Sequence, residues 1–174
     1  SIGLEEYGKP VIVDECCYEG NLPQRWGNIT AEEMTRRFWD TVTRGGYCTH
    51  GETYTHPNDE IWWAKGGRLC GQSPERIAFL RSILEAAPTD YDLMPEIYDV
   101  PTIGVRGVYY LMYFGLHRPA YRDIELPEGR FRVEIIDTWN MTIEEMAGVH
   151  EGTIRIRLPG TTNIAVRITR IEDQ

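Results

Sequence analysis

The residues best suited to chemistry stand early in the chain. Asp14 and Glu15 are adjacent carboxylates that close a short apolar run, Val11-Ile12-Val13, itself opened by Lys9-Pro10. Cys16, Cys17, Tyr18, Glu19 and Gly20 follow. A short apolar run reads as a strand buried on both faces, the kind found in parallel sheets. A carboxylate at the C-terminal end of such a strand stands where α/β barrels keep their reacting groups. A second extended stretch ends in His50, Glu52, Thr53, Thr55 and His56, and Trp62 and Trp63 come after it. Aromatic faces stack on sugar rings and carboxylates act at the anomeric carbon, so this combination points to carbohydrate as substrate.

Other chemistries are available to the same residues. His50 and His56, with Cys48, Cys16 and Cys17, are zinc-ligating types. The spacing Cys-x-His-x5-His matches no known ligand pattern, so no metal is assigned, and no other cofactor is implied. His50 is expected to contact sugar hydroxyls or to pack the strand end. Cys16 or Cys17 with His50 would make a nucleophile–base pair, but no local protease signature accompanies it. Arg25-Trp26 has two readings, a sugar contact after Glu15 or a surface loop packed on the rim. Tyr109, Tyr110, Tyr113, Phe114 and Trp139 read as core rather than as a second sugar platform, and His117 and His150 as surface residues.

The elements that must position these groups are legible. Thr30-Ala31-Glu32-Glu33 is a capping box that starts a helix, the Thr30 hydroxyl capping the first turn and Glu33 reaching back. Met34, Phe38 and Val42, with Trp39, mark its apolar face, and Gly45-Gly46 stops it. Residues 47–54 read as a second strand. Ser73-Pro74 opens another helix, a cap followed by proline at the first helical position; Ile77, Phe79, Leu80, Ile83 and Leu84 give it a broad buried face. Strand, helix, strand, helix over residues 9–87 argues for parallel α/β structure. Two strands are too few for such a sheet, so it is expected to be completed elsewhere.

After Pro88 the texture changes. Residues 105–114 are apolar on both faces and suit a central strand. Residues 131–135 and 153–158 alternate cleanly, Pro159-Gly160 turns the chain, and Ile164, Val166 and Ile168 form a last strand. Residues 121–126 and 141–146 add two more. Short strands separated by turn signals indicate an antiparallel β-sandwich. The expected organisation is α/β plus all-β, with residues 1–88 as one domain and 89–174 as the other.

Composition narrows the partners. The chain is 41% hydrophobic and 26% charged, with net charge −9. Residues 1–87 hold 13 acids and 9 bases and residues 88–174 hold 14 and 9, so neither half is basic. Nucleic acid and anionic membrane are therefore not expected partners. No apolar run reaches membrane-span length and no signal peptide is visible, although the chain begins at Ser1 and a targeting segment could precede it. The four cysteines read as buried free thiols, which leans toward a reducing, cytoplasmic compartment.

The segment from Lys9 to Glu19 resembles the seventh strand of the retaining (β/α)8-barrel glycoside hydrolases, and more narrowly the bacterial apiosidase-like catalytic domains. There a Gly-Glu pair follows Lys-Pro-Val and a short apolar run, and a Tyr-Glu pair comes shortly after. Here Asp14 replaces the Gly, while Glu15, Tyr18 and Glu19 match. The resemblance implies that Glu15 is the nucleophile, that residues 47–54 are the eighth barrel strand, and that Trp62 and Trp63 line the sugar site. It adds Tyr18, Glu19, Trp26, His50 and Glu52 as substrate contacts. Gly71-Gln72-Ser73-Pro74-Glu75-Arg76, running into Phe79-Leu80-Arg81, resembles the final barrel helix, and the sandwich resembles the small β domain that follows such barrels. A complete barrel needs about 250 residues. A retaining enzyme needs a second carboxylate about 5–5.5 Å from the first. In this clan that acid/base comes from the fourth strand, which the chain lacks; Glu19 and Glu52 do not stand where it would. The chain is thus expected to be the C-terminal part of a polysaccharide-degrading enzyme, inactive without the N-terminal remainder of the barrel. The alternative is a non-catalytic, carbohydrate-binding or structural sandwich module.

Overall fold

The computed structural model describes residues 9–50, 53–55 and 69–172. The chain divides into two compact units, Ser1–Ile83 and Leu84–Gln174. Its described elements are mostly strands, with two α-helices and mainly antiparallel pairing. No helix among them is long and apolar enough to cross a membrane.

In the first unit, β1 (Ile12–Val13) and β2 (Tyr47–Cys48) pair in parallel, Ile12 opposite Tyr47 and Val13 opposite Cys48. Parallel neighbours need a crossover, and α1 (Ala31–Thr43) supplies it. The Thr30 hydroxyl accepts from the Glu33 N–H at 3.1 Å, as expected of a helix cap. The other half of the expected box does not form. The Glu33 carboxylate turns instead to Arg36 and Arg37, at 2.7 Å from each, because two guanidinium groups one turn on outcompete a single N–H. At the far end Gly46 N–H bonds to Thr41 C=O at 2.9 Å and Gly45 N–H to Val42 C=O at 3.0 Å. With Gly45 at φ 79°, this is the Schellman arrangement that satisfies the last carbonyls. Met34, Phe38 and Trp39 are buried, whereas Val42 is only half-buried. Thr35 and Thr43 are buried beside them, and each hydroxyl is satisfied by the carbonyl one turn back, at 2.8 and 2.7 Å.

Two expectations for this unit change. The first strand is not buried on both faces: Ile12 is 58% exposed and Tyr47 opposite it 59%. Among the described residues the two strands have only each other as neighbours, so nothing closes their outer faces. The second strand also ends at Cys48 instead of running on to residue 54. Tyr54 pairs with the loop after β1, its N–H bonding to Glu19 C=O at 2.7 Å. The last helix, α2 (Ser73–Glu85), buries Leu80 and Ile83; Ile77, Phe79 and Leu84 are half-buried, so its apolar face is narrower than the sequence suggests.

The second unit holds eight strands: β3 (Asp92–Leu93), β4 (Thr102–Val105), β5 (Tyr109–Tyr113), β6 (Tyr121–Glu125), β7 (Phe131–Asp137), β8 (Thr142–Glu145), β9 (Thr153–Arg157) and β10 (Ile164–Arg170). Six form one antiparallel sheet in the order β3-β4-β5-β10-β7-β8, and β6 pairs with β9 in a second. The apolar stretch 105–114 is not one strand but the second half of a hairpin. Val108 N–H bonds back to Val105 C=O at 2.9 Å, and the chain reverses over Arg106-Gly107. The side of the large sheet carrying Met112, Val133, Val166 and Ile168 shares a core with Ile156 and Leu158, joined by Ile124 and Ile154. This closes one sandwich layer on the other. On the opposite side of β10 Ala165 is buried and Arg167 half-buried, and there Arg167 meets the buried Glu134, its direct cross-strand neighbour, in a two-pronged pair at 2.6 and 2.8 Å.

Candidate functional site

The loop that follows β1 is the most elaborately tied segment of the first unit. Asp14 and Glu15 leave the strand exposed to solvent, and the Asp14 carbonyl accepts from the Thr49 hydroxyl at 2.6 Å. Two residues on, Cys17 takes φ 68°, a left-handed conformation that costs a non-glycine residue about 1–3 kcal/mol. Arg37, reaching from α1, holds the Cys16 carbonyl just before that kink. The chain then runs back along itself: Tyr18 N–H bonds to Trp26 C=O at 2.7 Å, Ile29 N–H to Tyr18 C=O at 3.2 Å, and Gly20 N–H to Ile29 C=O at 3.1 Å.

This folding brings three rings together. Trp26 packs edge-on to Tyr54 with centroids 4.8 Å apart, Tyr18 to Tyr54 at 5.5 Å, and Tyr18 to Trp26 at 6.5 Å. Such contacts are worth about 0.5–1.5 kcal/mol each beyond the area they bury. Tyr18 and Tyr54 are buried; Trp26 remains 42% exposed. The arrangement fixes Trp26 through its neighbours and leaves indole surface open to solvent, which suits it to stack on a ring.

Glu19 has a different position from the one the sequence suggests. Its carboxylate is buried and accepts from Gln72 N–H at 2.9 Å, Ser73 N–H at 2.8 Å and the Ser73 hydroxyl at 2.5 Å. It therefore caps the start of α2 from more than fifty residues away, in the place where a carboxylate complements unpaired N–H groups and the helix dipole. The Ser73 hydroxyl, expected to cap its own helix, acts here as a donor to Glu19. Gly71 is required by the same contact: it sits at φ +111°, and a Cβ there would lie 2.5 Å from a Glu19 oxygen. Glu19 is thus anchored in structure and does not face solvent beside Glu15.

His50 is half-buried, its ring edge-on to Phe38 at 6.0 Å. Glu52, His56, Trp62 and Trp63 lie outside the described residues. Among the described residues no group of three or more His, Cys, Asp or Glu side chains is placed to hold a metal ion.

Two features of this region went unread in the sequence. Tyr54 belongs to the aromatic trio, and Cys16 lies beside Cys48, sulfur to sulfur, at 3.8 Å. The hydrogen bond from Cys48 lowers the Cys16 thiol to about 7; burial opposes it, and the Arg37 charge adds a smaller lowering. The same contact pushes the Cys48 thiol up, since Cys48 keeps the proton it donates to Cys16; burial and repulsion between the two sulfurs add to the rise. The register sets Cys48 opposite Val13, and the loop after β1 then brings Cys16, three residues further on, to the Cys48 sulfur.

Comparisons with known proteins add a relationship. A family described as a domain of unknown function (DUF5605) matches residues 98–169. No curated protein matches. The crystal structure of a "putative glycoside hydrolase" from Bacteroides vulgatus superposes with TM-score 0.82 at 36% identity, over 96% of this chain and 37% of that one. This chain is related to the glycoside hydrolases. Two further structures share the fold at low identity. One is a glycoside hydrolase at TM-score 0.64 and 14% identity, over 95% of this chain and 43% of its own. The other is a glycoside hydrolase family 5 protein from Bacteroides vulgatus at TM-score 0.66 and 16%, over 93% and 42%. The chain thus spans well under half the length of each.

Proposed function

We propose that this chain is the C-terminal part of a retaining glycoside hydrolase. In this reading residues 1–88 are the last two βα units of a (β/α)8 barrel of the apiosidase-like kind, and residues 89–174 are an accessory β-sandwich. The observation that carries it is the β1–α1–β2 unit, which ends its first strand in the exposed carboxylate of Glu15. The 36% identity to a longer glycoside hydrolase-like protein supports the reading. So do the open outer faces of Ile12 and Tyr47, which the remaining strands of a barrel would cover.

Glu15 attacks the anomeric carbon and expels the leaving sugar, which an acid on the N-terminal part protonates; water then releases the glycosyl group with that same residue as base. Trp26, held by Tyr18 and Tyr54, stacks on the sugar, with His50, Glu52, Trp62 and Trp63 completing the site. Hydrolysis of aryl glycosides by the intact protein tests this. Glu15→Ala is expected to abolish turnover and Asp14→Asn to retain it; turnover surviving Glu15→Ala sinks the assignment. Robust turnover by these 174 residues alone sinks the reading of the chain as part of a larger barrel.

A further inference from the structure

We propose that Cys16 and Cys48 are a redox pair whose disulfide staples the C-terminal ends of β1 and β2 beside Glu15. The two sulfurs stand 3.8 Å apart, Cys48 at the end of β2 and Cys16 in the loop just after β1, both half-buried and both free thiols. A disulfide needs about 2.05 Å, a distance reached from here by side-chain rotation and a small approach of the two strand ends. The other two cysteines have different neighbours: Cys17, at φ 68°, meets the Arg37 guanidinium, and Cys70 lies beside Thr53, whose hydroxyl accepts its N–H at 3.2 Å. The surroundings also favour attack by Cys16. Arg37 is held at the Cys16 carbonyl, so a positive charge stands by the thiolate, and Met34 contributes a soft, polarizable contact at 3.8 Å.

The co-reactant is a small-molecule disulfide such as oxidised glutathione. The Cys16 thiolate attacks one of its sulfurs and releases the first small thiol. Cys48 then gives up its proton and attacks the Cys16 sulfur of the mixed disulfide, releasing the second. Two protein thiols are oxidised by two electrons, and one small disulfide becomes two thiols that carry the two protons. Because Glu15 directly precedes Cys16, closing this bond moves the carboxylate's own backbone; that consequence rests on Glu15 being the nucleophile.

The test uses the intact protein equilibrated with oxidised glutathione, alkylated and mapped by mass spectrometry, with aryl glycoside hydrolysis followed in parallel. A Cys16–Cys48 linkage is expected, reversed by dithiothreitol and absent from Cys48→Ser, together with a fall in hydrolysis on the order of 10–100-fold, the scale of a misplaced reacting group. A protein that stays reduced, or links Cys17 or Cys70 equally well, overturns the pair. A linkage that leaves the rate of an active enzyme unchanged overturns its control over Glu15. If the linkage forms but the reduced protein hydrolyses nothing, the redox pair stands and the glycosidase reading fails.

Discussion

Strand β10 and strand β1 are opposite cases of how a strand is held. β10 runs seven residues between β5 and β7, and Val166 and Ile168 are fully buried. β1 has two residues and one neighbour, and Ile12 faces solvent. The second unit supplies both flanks of its central strands and both layers of its core from its own sequence. The first unit brings together the candidate nucleophile, a fixed tryptophan and a reactive thiol, yet leaves its parallel strands half-covered. In the proposed reading, stability and chemistry are thus carried by different halves of the chain.

Substitutions can break or sharpen that contrast. The largest effect is expected where the second unit buries charge. Arg167→Met leaves the buried Glu134 with the more distant Arg132, at 3.9 Å, in place of its two-pronged partner and should cost about 3–5 kcal/mol in urea unfolding, with Arg167→Met/Glu134→Leu recovering most of it. A loss below about 1 kcal/mol, the scale of a solvent-exposed ion pair, would show that water reaches this pair.

The direct comparison uses one residue type in both units. Ile168→Ala should cost about 2–5 kcal/mol through lost burial and the cavity left behind. Ile12→Ala should change the stability of these 174 residues by no more than about 0.5 kcal/mol, as an exposed site does. In an intact barrel the cost at Ile12 should rise toward that at Ile168. Equal, small costs at Ile12 in both settings would contradict the proposed missing strands.

A smaller loss is expected inside the first unit. Glu19→Ala removes the acceptor for Gln72 and Ser73 and should cost about 1–3 kcal/mol. Amide exchange at the start of α2 should rise first, with the second unit unaffected. Loss of sugar binding without loss of helix protection would return Glu19 to the substrate site.

The finest effect is one of pH. Alkylation follows the thiolate, so labelling of Cys16 should rise through a midpoint of about 7 and plateau above it. An ordinary cysteine rises near about 8.5. Below pH 7 Cys16 becomes protonated and its labelling slows, while its lead over an ordinary cysteine persists and closes only above about pH 9. In Cys48→Ala the midpoint should move up, because the hydrogen bond that stabilises the thiolate is gone; an unchanged midpoint would assign the effect to Arg37.

Local physics decided what the sequence could say alone. The Thr30 cap, the Gly45-Gly46 stop and the alternation in residues 153–158 all act within a few residues, through one helical turn or one pleat, and the structure keeps them; over residues 131–135 the alternation breaks, because Glu134 is buried against Arg167. The reversal at Gly107 was missed because apolar residues run up to Arg106-Gly107 on one side and away from it on the other, and a lone Gly inside an apolar stretch reads equally well as a bulge. Glu15 was legible as the carboxylate ending a strand. The partners of its neighbours were not: Glu19 reaches Ser73, Cys16 reaches Cys48, and Tyr18 and Trp26 close on Tyr54. Each of these contacts spans 28 residues or more along the chain, and only the parallel register of β1 with β2 and the return of the loop behind it bring the groups within bonding distance.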